Sequence, residues 1–320
     1  MATLAAPGGR SRSLRETFGD TLATLAVERP EILVLDGDLA NSTRADIVAE
    51  RVPGQFLELG IAEQNLMGTA AGLATMGFIP WVSTFACFAV ARALDQIRVS
   101  VAQPHLGVKI AGAYSGLGTG STGKTHQLFE DLAIMRGMPS MTILAPADDV
   151  EADAMLRAAT DIPGPVYVRL ARDPERQVFA APYDAPLGPP IVLRPTGAIL
   201  LLSTGVQTAR VVAAADLLAA DGLAVAVGHV PMLKPLDTTA LQALFSGRRL
   251  VIAIEEHAMV GGLGSAVAEI LAENGGPPLR RIGIDDRFGE SAQNAALIEH
   301  FGLSAERVAE RVRALASSLP

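Results

Sequence analysis

The feature that most constrains the fold is a regular alternation of short apolar runs with longer segments of helical periodicity. In the first half of the chain, apolar runs cover 32–35, 56–59, 79–83, 108–113, 141–145 and 166–170, and helical segments cover 13–28, 63–76, 88–102, 127–135 and 150–159. Strands that alternate with helices usually pair in parallel. We therefore predict an α/β domain with a mostly parallel sheet over 13–180.

A proline-rich segment at 181–194 interrupts this alternation and has the composition of an interdomain linker. Beyond it, strands are predicted at 198–203, 224–228, 250–255 and 280–284, and helices at 207–220, 238–245, 264–274 and 305–317. A chain of 320 residues is long enough for two domains. We predict a second parallel-sheet α/β domain over 195–320 and a flexible amino-terminal tail over 1–12.

The composition argues against several classes of function. The net charge is −8 and no segment carries a stripe of basic residues, so nucleic acid is not an expected partner. The chain lacks the run of roughly 18 apolar residues that a membrane helix needs. Its one cysteine, Cys87, excludes an internal disulfide and a metal site built from several cysteines. We expect a cytoplasmic protein without a membrane partner.

The segment 118–125 matches the P-loop pattern, in which glycine N–H groups hold phosphates and a lysine adds charge. A strand-like run that ends in Glu255 and Glu256 resembles the strand that accompanies such a loop. Two observations oppose this interpretation. Residues 113–117 separate the pattern from the preceding strand, and the second strand lies beyond the linker. A glycine-rich active-site loop is the alternative, and a P-loop NTPase using 118–125 stays as a competing hypothesis.

Acidic residues follow the first two predicted strands. Asp36 and Asp38 could bind a cation as a carboxylate pair, although such residues more often end a strand and cap the next element. Glu63 lies in Gly-Ile-Ala-Glu-Gln-Asn at 60–65, where a strand passes into a helix rich in alanine and glycine. Helix N-termini favour carboxylates, so these residues alone favour a capping role for Glu63.

Two phenylalanines and a histidine are further candidates. Phe85 and Phe88 follow a strand within Ser-Thr-Phe-x-x-Phe at 83–88. Such residues are usually core, but at a strand end they are also well placed to hold a flat ring. His126 follows the glycine-rich loop and precedes a predicted helix. It is a plausible proton carrier, and a surface or capping role explains it equally well.

Read in order, these segments resemble the transketolase family over nearly the whole chain. The pyrimidine-binding domain of that family is matched by 33–43, 60–65, 83–88, Thr-His-Gln at 125–127 and Ala-Pro-Ala-Asp at 145–148, and its carboxyl-terminal domain by 197–274, with Glu-Glu-His at 255–257 and Gly-Gly-Leu-Gly-Ser at 261–265. The resemblance implies the carboxyl-terminal half of an enzyme that depends on thiamine diphosphate.

The resemblance assigns the cofactor site. Glu63 matches the glutamate that bonds the aminopyrimidine ring of thiamine diphosphate and acts in catalysis. An acid there favours the imino tautomer, which removes the proton from the thiazolium carbon. Phe85 and Phe88 match residues that pack on the pyrimidine, and Asp38 matches an acidic residue near the thiazolium.

The resemblance also implies a substrate site. His126 matches a catalytic histidine near the bound sugar, and Arg172 matches an arginine that grips the substrate phosphate. Arg15, Tyr114 and Lys124 complete the expected set of substrate-binding residues.

Two positions in this region depart from the family. Tyr114 stands where many members have histidine, and Thr122 stands where many have aspartate. Both family residues help to recognise sugar hydroxyls or phosphate, so the sugar is not determined by the resemblance. Lys124 adds a cation, which indicates an anionic but atypical substrate.

The family's amino-terminal domain, which binds Mg²⁺ and the diphosphate through Gly-Asp-Gly, has no counterpart here. Gly37-Asp38 is followed by Leu39, and we expect no metal ligands on this chain. We therefore expect a second polypeptide that holds the metal and the diphosphate, in an α2β2 assembly.

The leading hypothesis is the small subunit of a two-chain transketolase, active only with its partner, that transfers a two-carbon ketol unit from a ketose to an aldose. The same cofactor would serve the β subunit of a 2-oxo acid dehydrogenase or a 1-deoxyxylulose-phosphate synthase-like enzyme. The Thr-His-Gln segment favours transketolase. A regulatory paralogue without activity is a further alternative, which the presence of Glu63 opposes.

Overall fold

A computed structural model describes residues 3–6 and 8–317, which fold around two β-sheets. The first block contains, in chain order, α1 Leu14–Glu28, β1 Ile32–Asp36, α2 Ala40–Thr43, α3 Asp46–Arg51, β2 Phe56–Glu58, α4 Glu63–Thr75, β3 Ile79–Phe85, α5 Leu94–Gln96, β4 Lys109–Ala113, α6 Asp131–Gly137, β5 Thr142–Leu144, α7 Asp149–Asp161 and β6 Val166–Leu170. The predicted helix at 88–102 is interrupted, because π-helical turns at Phe88–Arg92 and Ile97–Ala102 flank α5.

The second block begins inside the predicted linker. It contains β7 Ile191–Arg194, β8 Ile199–Ser203, α8 Gln207–Ala220, β9 Val225–His229, β10 Met232–Lys234, α9 Thr238–Phe245, β11 Leu250–Ala258, α10 Leu263–Asn274, β12 Leu279–Ile284, α11 Asn294–His300 and α12 Ala305–Ser317. Sequence periodicity predicted most of these elements and missed the short ones.

The two sheets confirm the predicted α/β class. The first has the order β10-β5-β6-β4-β3-β1-β2, and β1 to β6 pair in parallel. The second has the order β12-β11-β8-β9-β7, in which only the edge strand β7 is antiparallel among the described strands. Helices cover the sheet faces, which explains why strands such as β1 and β4 are buried at every position.

Strand β10 crosses between the two blocks. It follows β9 of the second sheet, yet it pairs antiparallel with β5 at the edge of the first sheet. Lys234 holds this edge, because its ammonium donates to the carbonyl oxygens of Arg136 (2.8 Å) and Met138 (2.5 Å). So short a strand depends on its tertiary partners rather than on local propensity, and sequence periodicity could not detect it.

The start of the chain differs from the flexible tail that the composition predicts. Among its described residues, Leu4 pairs with Phe179 and Arg10 with Arg176 in antiparallel bridges. The backbone N–H of Ser11 donates to the Glu175 carbonyl at 3.0 Å. Pairing of this kind uses backbone groups, so it leaves little signal in the amino-acid sequence.

Buried polar groups hold α7 of the first domain against the second. The Glu151 carboxylate accepts a hydrogen bond from the Tyr183 hydroxyl and lies beside His229 Nε2, each at 2.8 Å. Glu151 and His229 are both fully buried, so each needs the other as a hydrogen-bond partner. Within residues 3–6 and 8–317, no helix combines the length and the apolar character needed to cross a bilayer.

Candidate active site

The candidate residues lie at one edge of the first sheet, where its parallel strands end. Phe85 is the last residue of β3, Tyr114 follows β4 directly, and Arg172 follows β6 after one residue. Asp38 occupies the corresponding position after β1. Ligands of open parallel sheets bind beyond the carboxyl ends of the strands, and this topology brings residues far apart in sequence to that edge.

Glu63 is the first residue of α4 and its side chain is only 1% exposed. Both of its carboxylate oxygens lie 2.9 Å from one guanidinium nitrogen of Arg92. The Arg92 guanidinium also lies 4.5 Å from the centre of the Phe88 ring. A buried acid therefore adjoins an aromatic ring, and a ligand ring held by both Glu63 and Phe88 would compete with this guanidinium.

Four rings form a cluster next to this acid. Tyr114 stacks on Phe85 with ring centres 4.0 Å apart, and Phe85 stacks on Phe88 at 5.7 Å. His126 meets both phenylalanines edge-on, at 6.0 Å from Phe85 and 5.3 Å from Phe88. Its Nδ1 is 2.8 Å from the hydroxyl of Thr125. The structure thus places the predicted proton carrier against the predicted ring-binding pair.

Two guanidinium groups flank Tyr114. Arg15 donates to the Tyr114 hydroxyl at 3.1 Å and to the Ser42 carbonyl at 3.0 Å. The guanidinium of Arg172 lies 5.4 Å from the Tyr114 ring centre. The Nε atoms of Arg15 and Arg172 are buried and have no hydrogen-bond partner. Two converging guanidiniums with unused donors are suited to an anionic group such as a phosphate or a sulfonate.

A cavity of about 790 Å³ opens beside Phe88 and Arg92. Lys124 lines it from the first domain, and Val260 and residues 285–289 line it from the second. A buried carboxylate, an aromatic pair and a cavity of this size fit a flat heterocycle such as an aminopyrimidine. Glu63 itself does not line this cavity, but Arg92, which pairs with its carboxylate, does.

Asp38 is less closely joined to this cluster. It is exposed, has a positive φ of 62°, and its N–H donates to the Glu58 carboxylate at 2.9 Å. The same Glu58 oxygen accepts from Gly60 N–H at 2.8 Å, which ties Asp38 to the loop that leads to Glu63. A role for Asp38 beside the thiazolium stays a prediction.

Asp36 has a structural role. Its carboxylate accepts from Leu39 N–H at 2.6 Å and from the Thr43 hydroxyl at 3.1 Å, so it caps the turn after β1. Burial raises the pKa of Asp36 to about 6. No group of three or more histidine, cysteine, aspartate or glutamate side chains in the described part of the chain is arranged to hold a metal ion.

The P-loop hypothesis for 118–125 is wrong. In a P-loop, a strand turns through the glycines directly into a helix. Here residues 117–125 form 3₁₀ turns, broken at Gly120 and Gly123 by non-helical backbone, and the next helix begins only at Asp131. Glu256, the supposed partner acid, instead accepts a hydrogen bond from Leu117 N–H at 2.7 Å.

Sequence reasoning missed Arg92 and Glu58, which contact the residues it selected. Arg92 interrupts an apolar segment four positions after Phe88, and such an isolated charge could have been flagged. Glu58 ends a short strand, and nothing in its neighbours indicates that it joins two loops.

Residues 10–176 match the family described as transketolase, pyrimidine binding domain, and residues 190–308 match transketolase, C-terminal domain. The first match alone covers half of the chain. The chain belongs to the transketolase family. Members of this family depend on thiamine diphosphate. The family resemblance that the ordered sequence motifs indicated is therefore confirmed.

Several related transketolases are named as subunits. The chain is 38% identical to the 6-deoxy-6-sulfo-D-fructose transketolase subunit SqwH of Clostridium sp. (strain MSTE9), over 92% of each chain. It is 33% identical to a subunit of the apulose-4-phosphate transketolase of Phocaeicola vulgatus, over 92% of this chain and 94% of that one. A solved structure described as a split gene transketolase, an inactive β4 tetramer, has 41% identity and a TM-score of 0.88, covering 97% of this chain and 100% of that one.

The pairing of Arg92 with Glu63 can be tested by a double-mutant cycle. Removing Arg92 leaves a buried carboxylate unpaired, so Arg92→Ala should lower the free energy of unfolding more in the wild type than in a Glu63→Gln background. Because Arg92 is half exposed, we expect a coupling energy of about 1 kcal/mol, measured by denaturant unfolding. Arg98→Ala, on the same helical segment, is the matched control. A coupling energy near zero would contradict the pairing.

Proposed function

We propose that this chain is the small subunit of a two-chain transketolase that moves a two-carbon ketol unit from a ketose to an aldose. The observation that carries the proposal is the buried Glu63 carboxylate at a helix start, paired with Arg92, whose guanidinium lies over the Phe88 ring and lines the cavity. Membership of the transketolase family supports the same reaction class.

Each site residue then has a physical task. Thiamine diphosphate supplies, when bound, the carbon nucleophile that breaks and forms the bonds of the ketol unit. Glu63 would hold the proton on the aminopyrimidine nitrogen, and Phe85 and Phe88 would orient that ring and exclude water from it. His126, which contacts both phenylalanines, would carry a proton to or from the sugar oxygens.

A partner subunit would complete the site. The metal and the diphosphate would lie on that partner chain, as the resemblance to the transketolase family implies. The related sulfofructose and apulose-phosphate enzymes are named as subunits, and the related β4 structure is described as inactive. These descriptions support an obligate pair, for which we propose α2β2 stoichiometry in the cytoplasm.

The substrate would carry an anionic group at the end away from the reacting carbon. Arg15 and Arg172 converge on Tyr114 with unused donors, and Lys124 adds charge at the cavity. The substrates named for two related enzymes carry a sulfonate and a phosphate. Tyr114 would select among such anions because it departs from the histidine usual in the family, and Lys124 would do so through its charge.

Reconstitution with the partner subunit tests the reaction class. The chain alone should bind thiamine diphosphate weakly and show no turnover, and the assembled pair should transfer ketol units from a ketose phosphate to an aldose. Glu63→Ala in the pair should lower kcat by at least 100-fold while leaving assembly intact, since general acid–base groups contribute about 10² to 10⁴. Coupled assays of ketol transfer measure the rate, and size-exclusion chromatography measures assembly.

Controls make this result specific. Glu63→Gln removes the charge at constant size and should be as inactive as Glu63→Ala, whereas Glu50→Gln, exposed on α3, should be fully active. Near-normal activity of either Glu63 variant, or ketol transfer by the lone chain, would refute the proposal. Decarboxylation of pyruvate without ketol transfer would favour the 1-deoxyxylulose-phosphate synthase-like or dehydrogenase alternative.

Arg172 provides a test of the substrate charge. Arg172→Ala should raise KM for a ketose phosphate or sulfonate by about tenfold or more, because a hydrogen bond to a charged group is worth about 1.5–3 kcal/mol. KM for an uncharged short ketose such as erythrulose should change little. Arg176→Ala removes a nearby guanidinium that pairs with Asp216 on the surface and serves as the control. Equal effects on charged and uncharged substrates would exclude an anion-binding role.

A further inference from the structure

The glycine-rich segment 116–127 carries Lys124 and leads to His126, and the second domain holds it in place. Leu117 is fully buried, and it packs in the apolar core of the second domain although it belongs to the first. The loop therefore has an anchor in each domain, since Gly116 N–H also donates to the Leu128 carbonyl at 3.2 Å.

Glu256, in β11 of the second sheet, fixes the start of this loop. One carboxylate oxygen accepts from Leu117 N–H at 2.7 Å, and the other accepts from Arg210 at 2.5 Å. Arg210 is itself bound to Glu175. Glu256 is only 3% exposed, so its carboxylate depends on these two donors, and its position is fixed by them.

Asn294, the first residue of α11, fixes the middle of the loop. Its side-chain amide donates to the Gly118 carbonyl at 3.0 Å and also bonds the Asp173 carboxylate, next to Arg172. Farther along, the Gln127 amide donates to the Glu290 carbonyl at 3.0 Å. Hydrogen bonds from the second domain thus reach the loop on both sides of Lys124 and His126.

Close packing against the second domain explains three glycines of the loop without a phosphate ligand. Gly116, Gly120 and Gly123 all have positive φ. A Cβ at these positions would lie 2.3 Å from Glu256, 2.2 Å from Asn294 and 2.1 Å from Ser291, respectively. All three obstructing side chains belong to the second domain. Of the two glycines that define the P-loop-like pattern, Gly123 therefore marks a close approach of the second domain, at a positive φ that favours glycine.

We propose that the second domain acts as a positioning element for the substrate site, with Asn294 and Glu256 as positioning residues that hold Lys124 at the cavity and His126 against the aromatic cluster. They act by keeping the loop closed, so that the side chains it carries are already oriented when substrate binds. This function of the second domain rests on the proposed site but can be tested apart from it.

Limited proteolysis of the full chain tests the restraint directly. Lys124 is exposed and offers a trypsin site in the loop. Asn294→Ala removes two hydrogen bonds that close the loop, so cleavage after Lys124 should become roughly tenfold faster. Mass spectrometry of the fragments 1–124 and 125–320 measures the rate at this site. Asn274→Ala is the matched control, because the Asn274 amide donates to the Ile270 carbonyl of its own helix, away from the loop.

Two further measurements separate positioning from general destabilisation. The melting temperature of Asn294→Ala should stay near that of Asn274→Ala, and Asn294→Asp, which keeps the size but turns an acceptor towards Gly118 and Asp173, should open the loop at least as much. In the reconstituted enzyme Asn294→Ala should raise KM for the sugar while thiamine diphosphate affinity stays unchanged. An unaltered cleavage rate after Lys124 in both Asn294 variants would overturn the inference. If instead the reconstituted wild-type enzyme were inactive, that result would count against the proposed function. It would leave the proteolysis result intact.

Discussion

The rest of the structure depends on one buried arginine, which joins an ion pair of the first domain to the second sheet. Arg169, in β6 of the first sheet, binds the Asp131 carboxylate at 2.8 Å and the Glu256 carbonyl of the second sheet at 2.9 Å. The Tyr167 hydroxyl also donates to Asp131 at 2.9 Å. Burial opposes ionisation of Asp131, but the Arg169 guanidinium holds the pKa of this carboxyl below its ordinary value. Buried charges are tolerated only when they are paired in this way. The hydrogen bond from Arg169 to the Glu256 carbonyl then ties this pair to the second domain.

The candidate site lies directly above this contact. Arg172 follows Arg169 in the chain, α6 begins at Asp131 shortly after His126, and Glu256 bonds the active-site loop through its carboxylate. The same few residues therefore fix the domains and orient the substrate side of the site. The cofactor side depends on a separate arrangement, in which Glu63 lies buried at the start of α4 and Arg92 pairs with it.

The structural features that depend on a local sequence pattern could be predicted. Buried parallel strands are continuous apolar runs, so β1, β3, β4 and β6 were predicted close to their observed bounds, and the motif around Glu63 marked the acid. Contacts that span the chain left no local signal. Leu117 and Glu256 are 139 positions apart, and Gly118 and Asn294 are 176 apart. For the same reason the P-loop pattern was ambiguous, since its Gly123 lies against Ser291 of the second domain, far along the chain.

The most direct measurement of the central claim is a structure of the assembled two-chain enzyme with thiamine diphosphate and Mg²⁺. The account predicts a Glu63 oxygen within about 2.6–3.2 Å of the pyrimidine ring nitrogen, with the Arg92 guanidinium displaced from at least one carboxylate oxygen. It also predicts that the diphosphate and the metal are held by the partner chain. A cofactor bound entirely within either chain, or a pyrimidine ring remote from Glu63, would contradict it.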